Sequence, residues 1–331
     1  MRAPSFWWKP GRGGLLSPLA AAYGMATWLR MQTAGRKAGL PVICLGNLTV
    51  GGAGKTPAAL TVARLLLAAR QRPFFLTRGY GGRLPGPIQV NPAFHNGTDV
   101  GDEPLLLARL APTIVARDRV AGALLARLGG ASVIVMDDGF QNPSVEKDLS
   151  ILVVDGRRGI GNGRIIPAGP LRAPFGVQIA RAQALVIVGA GGGGEAVVET
   201  ARRRGLAIFH ARLEPDCQHV ASLRGRGILA FAGIADPQKF FATLADAGIP
   251  VTERLEFADH HRYTAAEARA LLARADAQNL MLLTTEKDHV RLAGDPELAA
   301  LAARAAALPV RFIIDEEQVF RDLIMTAVRR G

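Results

Sequence analysis

Acidic residues are missing from the first third of the chain. Residues 1–98 carry twelve lysine and arginine side chains but no aspartate or glutamate, and the first acidic residue is Asp99. The rest of the chain holds 28 basic and 28 acidic groups, so the formal net charge of +12 comes entirely from the first third. Such an asymmetry predicts a polyanionic partner, which would be a nucleic acid, an anionic lipid surface or a phosphorylated substrate.

Cysteine is scarce as well. Cys44 and Cys217 are the only two, and no ligand motif accompanies either, which excludes a disulfide scaffold and gives no indication of a zinc site. Of the 331 residues, 49% are apolar and 21% charged, which excludes a disordered or collagen-like chain. We expect one large or two ordinary globular domains in a reducing compartment.

The N-terminal region lacks an uninterrupted hydrophobic run long enough to cross a bilayer. The stretch between Arg12 and Arg30 has 17 uncharged residues, broken by Ser17, Pro18 and Gly24, whereas a membrane-spanning helix needs about 20 mostly apolar ones. All three tryptophans, at positions 7, 8 and 28, lie in this region. Tryptophan rings and short apolar turns beside basic side chains are typical of a membrane interface.

We therefore predict a membrane-interface segment over residues 1–38. The basic residues that flank its apolar part are Arg2, Lys9, Arg12, Arg30, Arg36 and Lys37. Two alternatives remain at this point, a signal peptide cleaved near the alanines at 20–22 and an ordinary buried first helix.

The strongest local motif is the glycine-rich segment 46–56, which follows an apolar strand and opens a helix. This is the context of a phosphate-binding loop, in which backbone amides and the helix N-terminus face phosphate oxygens. The predicted nucleotide-binding residues are Thr49, Val50, Gly51, Gly52, Ala53, Gly54, Lys55 and Thr56. Lys55 would reach the β- and γ-phosphates and Thr56 would hold Mg²⁺. Thr49 stands where the usual pattern has glycine.

An acidic pair supplies the second half of such a site. Asp137 and Asp138 end the apolar run 133–136, at the edge of the sheet where α/β proteins bind their ligands. We predict that one of them organises the metal, without deciding between the two.

Apolar runs alternate with helical stretches such as 58–70 and 120–128, which predicts a parallel sheet covered on both faces. The strand candidates of this first part are 42–45, 74–77, 113–116, 133–136, 151–154 and 185–188. A second alternation follows, with strands at 228–231, 281–284 and 310–314 and a helix near 237–247.

The fold class is therefore α/β, with a P-loop NTPase-like parallel sheet domain and a smaller α/β domain joined by a two-stranded hinge. The predicted bounds are 39–205 for the P-loop domain, 206–225 for the hinge and 226–331 for the smaller domain. The two hinge strands are expected at 206–213 and 219–223, around a turn at 214–216.

Further motifs accompany the phosphate loop in a fixed order. They are Arg78-Gly79-Tyr80-Gly81, Gly101-Asp102-Glu103-Pro104, Asp137-Asp138-Gly139-Phe140-Gln141, Pro167-Ala168-Gly169-Pro170-Leu171-Arg172, Asp259-His260-His261 and Thr285-Glu286-Lys287-Asp288. Together with residues 47–56, they resemble the tetraacyldisaccharide 4′-kinases, the lipid A kinases, from about residue 15 to 290. The chain departs from that family's pattern at Asn142, where histidine is common, and at Ala173, where glutamate is common.

The resemblance implies roles for residues that the sequence alone leaves open. Asp102 could equally be a helix cap, but the family places its general base in this motif. His260, rather than His261, is implied as the partner that orients that carboxylate, and closure across the hinge would bring the two together. Candidate phosphate-binding guanidiniums are Arg78, Arg117, Arg119 and Arg172, with Arg78, Arg119 and Arg172 favoured for the substrate phosphate.

By resemblance, the substrate is an acylated glucosamine disaccharide phosphate, the donor is ATP with Mg²⁺, and the product is the 4′-phosphorylated lipid IVA. This implies a peripheral or monotopic protein at the cytoplasmic face of the inner membrane of a Gram-negative cell. The alternative is a membrane-attached P-loop switch NTPase, although no guanine-reading Asn-Lys-x-Asp motif is evident. Nucleic acid is not expected as a partner, because the basic third is apolar and tryptophan-rich and has no recognisable nucleic-acid motif.

Overall fold

The chain forms two lobes, each built on its own β-sheet, in a computed structural model that describes residues 4–9 and 11–331. Arg2, one of the predicted membrane-flanking residues, lies outside the described residues. The strands are β1 Val42–Gly46, β2 Pro73–Thr77, β3 Ile88–Gln89, β4 Thr113–Val115, β5 Val133–Asp137, β6 Leu149–Asp155, β7 Ala184–Val188, β8 Ala207–Pro215, β9 Ile228–Ala232, β10 Val251–Glu256, β11 Met281–Thr285, β12 Ala306–Leu308 and β13 Val310–Ile314.

The helices alternate with these strands along the chain. They are α1 Ser17–Met31, α2 Lys55–Ala68, α3 Gly97–Val100, α4 Asp102–Ala108, α5 Arg119–Leu128, α6 Phe175–Ile179, α7 Glu195–Arg203, α8 Cys217–Leu223, α9 Pro237–Asp246, α10 Ala265–Ala277, α11 Glu286–Leu292, α12 Ala299–Arg304 and α13 Glu317–Arg330. Short 3₁₀ turns occur at Ser5–Trp8, Gly14–Leu16, Gly192–Gly194 and Pro296–Leu298.

The large lobe is a nine-stranded sheet in the order β13-β8-β7-β6-β1-β5-β2-β4-β3 with helices α1–α7 and α13. Its strands run parallel except at the two edges, where β3 pairs antiparallel with β4 and β13 antiparallel with β8. All six strands predicted for the first part of the chain are present. Because β1 lies between β6 and β5, the phosphate loop and the acidic pair leave neighbouring strands at the same edge.

Side chains of β1 alternate between two cores of the large lobe. Ile43 and Leu45 pack on the face covered by α2 and α13, whereas Val42 and Cys44 face the side covered by α1, α5 and α7. These β1 side chains are almost completely buried. A central strand that is buried on both faces explains the continuous apolar run in the sequence.

The small lobe is a four-stranded parallel sheet in the order β10-β9-β11-β12, with helices α8–α12. Leu229 and Phe231 of β9 contact the core beside α10 and α12, and Ile228 and Ala230 contact the core beside α8 and α9. Val290 of α11 packs against α4, so the two lobes share an apolar contact.

The predicted second hinge strand at 219–223 is wrong, because those residues belong to helix α8. The Asp216 side chain accepts hydrogen bonds from the backbone N–H groups of Gln218 and His219 and thereby begins that helix. The antiparallel partner of β8 is β13, which was expected in the smaller domain. Helix α13 also returns to the large lobe, where Phe320 and Ile324 are buried.

Helix α1 carries apolar side chains on the face turned away from the protein. Ala20, Gly24 and Met31 are buried, whereas Leu19, Tyr23 and Met25 are 41–63% exposed. Arg30 is its only charged residue. No helix in the described part of the chain is long and apolar enough to span a membrane.

Candidate active site

The phosphate loop connects β1 to α2 in the conformation that its glycines allow. Gly51 and Gly54 have φ values of 115° and 92°, a region that residues with a side chain rarely adopt. Helix α2 begins at Lys55 after Gly54, and within the described chain no side chain caps it. Its first amides are therefore available to an anion, and the positive end of the helix dipole favours one.

Thr49, the departure from the common loop pattern, is held by the segment that ends in Arg172. The Val50 amide donates to the Pro170 carbonyl over 2.9 Å, and Arg172 Nε donates to the Thr49 carbonyl over 3.1 Å. Asn47 Nδ2 bridges the base of the loop to the Gly51 carbonyl over 3.2 Å. The loop entry is thus fixed by its neighbours rather than by an additional glycine.

Asp137 is buried next to the first turn of α2. The Thr56 hydroxyl donates to its Oδ2 over 3.0 Å, while its Oδ1 has no hydrogen-bond partner among the described residues. Burial raises the pKa of this carboxyl to about 6. A hydroxyl beside a carboxylate oxygen without a partner is a set of hard oxygen donors, and the two residues therefore fit Mg²⁺.

Asp138 instead has two cationic partners. Lys55 Nζ lies 3.5 Å from its Oδ1, and Arg172 Nη1 donates to the same oxygen over 2.9 Å. Burial opposes its charge, but Lys55 and Arg172 outweigh that effect and hold the pKa of Asp138 below its usual value. Asp138 therefore pairs with both cations, Lys55 at the start of α2 and Arg172.

A second cluster surrounds Asp102, whose side chain is 2% exposed in the first turn of α4. His260 Nδ1 lies 3.0 Å from Asp102 Oδ2, and Arg291 Nε donates to that oxygen over 2.6 Å. Arg262 Nη1 lies 3.6 Å from Oδ1. Burial opposes ionisation, but the hydrogen bond with His260 and the charge of Arg291 hold the pKa of Asp102 below its usual value.

The adjacent His261 has a different environment. Its Nε2 lies 3.0 Å from Glu267, the residue that closes the capping box of α10, and its ring stacks on Phe257. Of the two histidines, His260 is the one in contact with Asp102, as the family resemblance implies.

Asp102, Glu103 and His260 each have a potential ligand atom within 4.8 Å of the other two, which is close enough to surround a metal ion. Glu103 is already paired with Lys287, whose Nζ lies 2.8 Å from its Oε1. Arg291 and Arg262 similarly neutralise Asp102. Because three cations face two carboxylates, the charge balance disfavours a metal ion here.

The remaining predicted arginines lie in different environments. Arg78 is exposed in the loop after β2, and the Arg117 backbone amide donates to the Pro85 carbonyl. Arg119 is 3% exposed; its Nη1 donates to the Thr77 and Ala116 carbonyls, and within the described chain no acidic group pairs with it and its Nε has no partner. Burial and the charge of Arg78 lower the pKa of Arg119 to about 10. A buried, uncompensated guanidinium favours a bound anion.

Both departures from the family pattern have a structural context. Asn142 Oδ1 accepts hydrogen bonds from the Ser144 amide and hydroxyl and so closes its own turn. Ala173 is fully buried, and its carbonyl accepts from Gln178 Nε2 over 2.8 Å. Gln178 in turn accepts from Gln141, which also donates to the Asn47 carbonyl at the phosphate loop. Two amide side chains thus link this segment to the loop.

Sequence reasoning missed Arg291, Arg262 and the pairing of Lys287 with Glu103. Lys287 lies in a motif that was recognised, and Arg291 follows four residues later on the same helix, where i and i+4 side chains are neighbours. That spacing was the available signal.

Comparisons with known proteins point to one family. A family model described as "Tetraacyldisaccharide-1-P 4'-kinase" matches residues 13–329. A protein named tetraacyldisaccharide 4'-kinase from Bradyrhizobium sp. (strain ORS 278) is 50% identical over 98% of this chain and 97% of its own length. One of the same name from Afipia carboxidovorans is 48% identical over 100% and 98%.

A solved structure also matches. The "apo" form of LpxK from Aquifex aeolicus in complex with ATP superposes with a TM-score of 0.74 and 28% identity, over 96% of this chain and 99% of that one. The predicted α/β fold with a P-loop domain is thereby confirmed, and the alternative of a switch NTPase is not favoured. The chain belongs to the tetraacyldisaccharide-1-P 4'-kinase family.

Proposed function

We propose that this protein transfers the γ-phosphate of ATP to the 4′-hydroxyl of a tetraacyldisaccharide 1-phosphate, giving lipid IVA. The observation that carries the proposal is that helix α2, which begins at the phosphate loop, contacts helix α4, which begins at Asp102. Burial is the main cause of the raised pKa of Asp137, and the negative charges of Asp138 and of Glu103, next to Asp102, add to it. Burial likewise lowers the pKa of the Lys55 ammonium group, and the positive charges of Arg172 and Lys287 add to that lowering.

Each part of this site has a role in phosphoryl transfer. The amides of residues 49–56 and the side chains of Lys55 and Arg172 bind the ATP phosphates and neutralise their charge. Thr56 and Asp137 would hold Mg²⁺, which would neutralise part of the phosphate charge when bound with ATP. Asp102 accepts the proton of the 4′-hydroxyl as that oxygen attacks the γ-phosphorus, and His260 orients the carboxylate. The bond between the γ-phosphorus and the β–γ bridging oxygen breaks in the same step, and ADP is the leaving group.

Of the predicted arginines, Arg119 and Arg78 would bind the substrate's own phosphate. Arg119 is the best candidate, because its guanidinium is buried without an acidic partner among the described residues. Exposed Arg78 adds positive charge beside it. Arg119→Gln should raise the KM for the lipid about tenfold or more and leave the KM for ATP nearly unchanged. A KM for the lipid equal to that of the wild type would exclude this role.

The activity test is transfer of labelled γ-phosphate from ATP to detergent-dispersed tetraacyldisaccharide 1-phosphate. Labelled product should appear with the wild-type protein and be lost in Lys55→Met. A disaccharide that already carries a 4′-phosphate serves as the control acceptor and should stay unlabelled. Hydrolysis of ATP without any labelled lipid, even in the presence of detergent, would contradict the proposed acceptor.

We further propose that helix α1 lies on the cytoplasmic face of the inner membrane. Its outward face exposes Leu19, Tyr23, Met25, Trp28 and Leu29, an apolar surface that water does not favour. Its inward face contacts the segment that leads to Arg172: Arg164 Nη1 donates to the Ser17 hydroxyl over 2.9 Å. This arrangement supports membrane docking close to the site that must receive a lipid.

Flotation with anionic vesicles tests this docking. Replacement of Leu19 and Leu29 by glutamate should weaken vesicle association at least about tenfold. Two negative charges would then stand where leucine side chains contact the acyl chains of the lipid. Leu128→Glu, which changes an exposed leucine on α5, is the matched control. Equal flotation of the double variant and the wild type would show that α1 is not the membrane contact.

A further inference from the structure

Arg291 connects Asp102 of the large lobe to the interior of the small lobe. Its side chain is 1% exposed in α11. Nε donates to Asp102 Oδ2 over 2.6 Å, whereas Nη1 donates to Asp288 Oδ1 over 2.7 Å and to the Gly233 carbonyl over 2.6 Å. One planar guanidinium therefore contacts a carboxylate in each lobe.

Asp288 holds this guanidinium from behind. It is fully buried and also accepts hydrogen bonds from the Tyr263 hydroxyl, the Gly233 amide and the Thr285 hydroxyl, at 2.7–3.0 Å. These contacts satisfy both carboxylate oxygens and leave Arg291 little freedom to rotate. The orientation of Arg291 is therefore a property of the small-lobe core.

The other charged groups that face Asp102 are more exposed. The His260 side chain is 30% exposed and that of Arg262 is 43% exposed. Glu103, the neighbour of Asp102 on α4, is paired with Lys287. Arg291 is thus the one partner of Asp102, among the described residues, that is as buried as the carboxylate itself. A charged hydrogen bond is strongest and most directional where water is excluded.

We propose that Arg291 is a positioning residue for phosphoryl transfer, which fixes the Asp102 carboxylate in the orientation that accepts the hydroxyl proton. The inference rests on the proposed role of Asp102 as the general base. Because Arg291 and Asp288 belong to the small lobe, this orientation exists only while the two lobes are docked. The contact therefore ties the competence of the base to closure of the lobes.

The test compares Arg291→Met and Arg291→Lys with the wild type in the full-length protein. For Arg291→Met we expect kcat to fall about 10- to 100-fold, since a displaced catalytic group costs up to about 10². The KM for ATP should change less than twofold, because the hydrogen bonds and ion pairs of Arg291 in the described structure go to Asp102, Asp288 and Gly233 and not to residues 46–56. The acid limb of the kcat/KM profile should move to higher pH, since loss of a buried cation makes Asp102 harder to ionise.

Arg291→Lys keeps the charge, but a single ammonium group cannot bridge Asp102 and Asp288 as the planar guanidinium does. We therefore expect a kcat between those of the wild type and Arg291→Met. Arg274→Met, which removes a small-lobe ion pair with Glu253, is the control and should behave like the wild type. If Arg291→Met does not fold, Arg291→Lys decides alone. A reduced kcat with unchanged KM for ATP supports the proposal, and an unchanged kcat overturns it.

Asp102→Asn distinguishes this proposal from the one on which it rests. If Arg291 acts through Asp102, adding Arg291→Met to Asp102→Asn should reduce kcat no further. A further loss as large as in the single variant would assign Arg291 a purely structural role and overturn the inference. Wild-type turnover in Asp102→Asn would remove the general base, and the positioning role with it.

Discussion

His260 Nδ1 lies 3.0 Å from Asp102 Oδ2, although the two residues are 158 positions apart and belong to different lobes. Each stabilises the charged form of the other. The hydrogen bond with Asp102 raises the pKa of His260, and the same contact contributes to the lowered pKa of Asp102. The ionisation of Asp102 and of His260 is therefore linked to the docking of the lobes.

Stability should depend on His260 in a pH-dependent way. Because the pKa of His260 is raised above its ordinary value of 6.5 in the folded protein, its stabilising effect is complete below that value. The effect is lost as the pH rises through the folded-state pKa. His260→Asn should therefore lower Tm more at about pH 5.5 than at about pH 9, measured by calorimetry. A Tm difference that is the same at both pH values would contradict this linkage.

Catalysis should depend on the Asp102 carboxylate far more than nucleotide binding does. Asp102→Asn should reduce kcat by about 10²-fold or more, the usual scale for loss of a general base. The Kd for ATP, measured by titration calorimetry, should stay within about threefold, because the contacts of Lys55 and Arg172 are intact. Asp118→Asn, at the N-cap of α5, is the control carboxylate. An unchanged kcat would rule out the assigned role.

The Asp137 carboxylate should destabilise the metal-free protein although it is needed to bind the metal. Burial raises its pKa to about 6, so the metal-free protein loses stability as the pH rises from about 4 to about 6 and does not regain it above. In EDTA at about pH 8, Asp137→Asn should therefore raise the free energy of unfolding by on the order of 1–3 kcal/mol. Kinase activity should nevertheless fall sharply.

The matched control is Asp246→Asn, which replaces an exposed carboxylate at the end of α9. It should change neither the free energy of unfolding nor the kinase activity. A free energy of unfolding lower in metal-free Asp137→Asn than in the metal-free wild type would show that the carboxylate stabilises the protein and does not destabilise it.

A second set of contacts between the lobes should affect the phosphate loop. Arg157 and Arg158, after β6, both lie 2.7 Å from Asp236 at the start of α9. The neighbouring Ala235 approaches the loop so closely that a Cβ on Gly52 would come within 3.9 Å of it. Asp236→Asn should therefore reduce kcat/KM for ATP about three- to tenfold, as expected for partly exposed ion pairs worth about 1 kcal/mol.

Hydrogen exchange gives the direct readout of this effect. The amides of residues 50–54 should exchange faster in Asp236→Asn than in the wild type. Asp276→Asn removes a pair with Arg304 inside the small lobe and should leave those amides unaffected. Identical exchange in all three proteins would mean that these ion pairs do not hold the loop.

The parts of the site that were predicted from sequence are the ones formed by contiguous residues. The loop 46–56 follows its strand directly, and its glycines specify a backbone that other residues cannot easily adopt. The two carboxylates at 137 and 138 follow a buried strand in the same way. The strand β13 was assigned to the wrong domain, because its apolar run fits either sheet and its pairing with β8 joins residues about 100 positions apart.

The sequence by itself determined the α/β fold, the phosphate loop, the acidic pair and the family, since each is written in local spacing or residue identity. Only the tertiary structure decided that Arg291, 189 positions from Asp102, is its buried partner, and that Arg119 is buried without a counter-ion in the described chain. The physical reason is that charge pairing depends on which surfaces are excluded from water together. That follows from how two lobes dock, and no local periodicity encodes it. The excess of positive charge in residues 1–98 illustrates the same point. Its magnitude can be read from the sequence, but only the fold shows that Lys55 lies in the site whereas Arg30 lies at the end of α1.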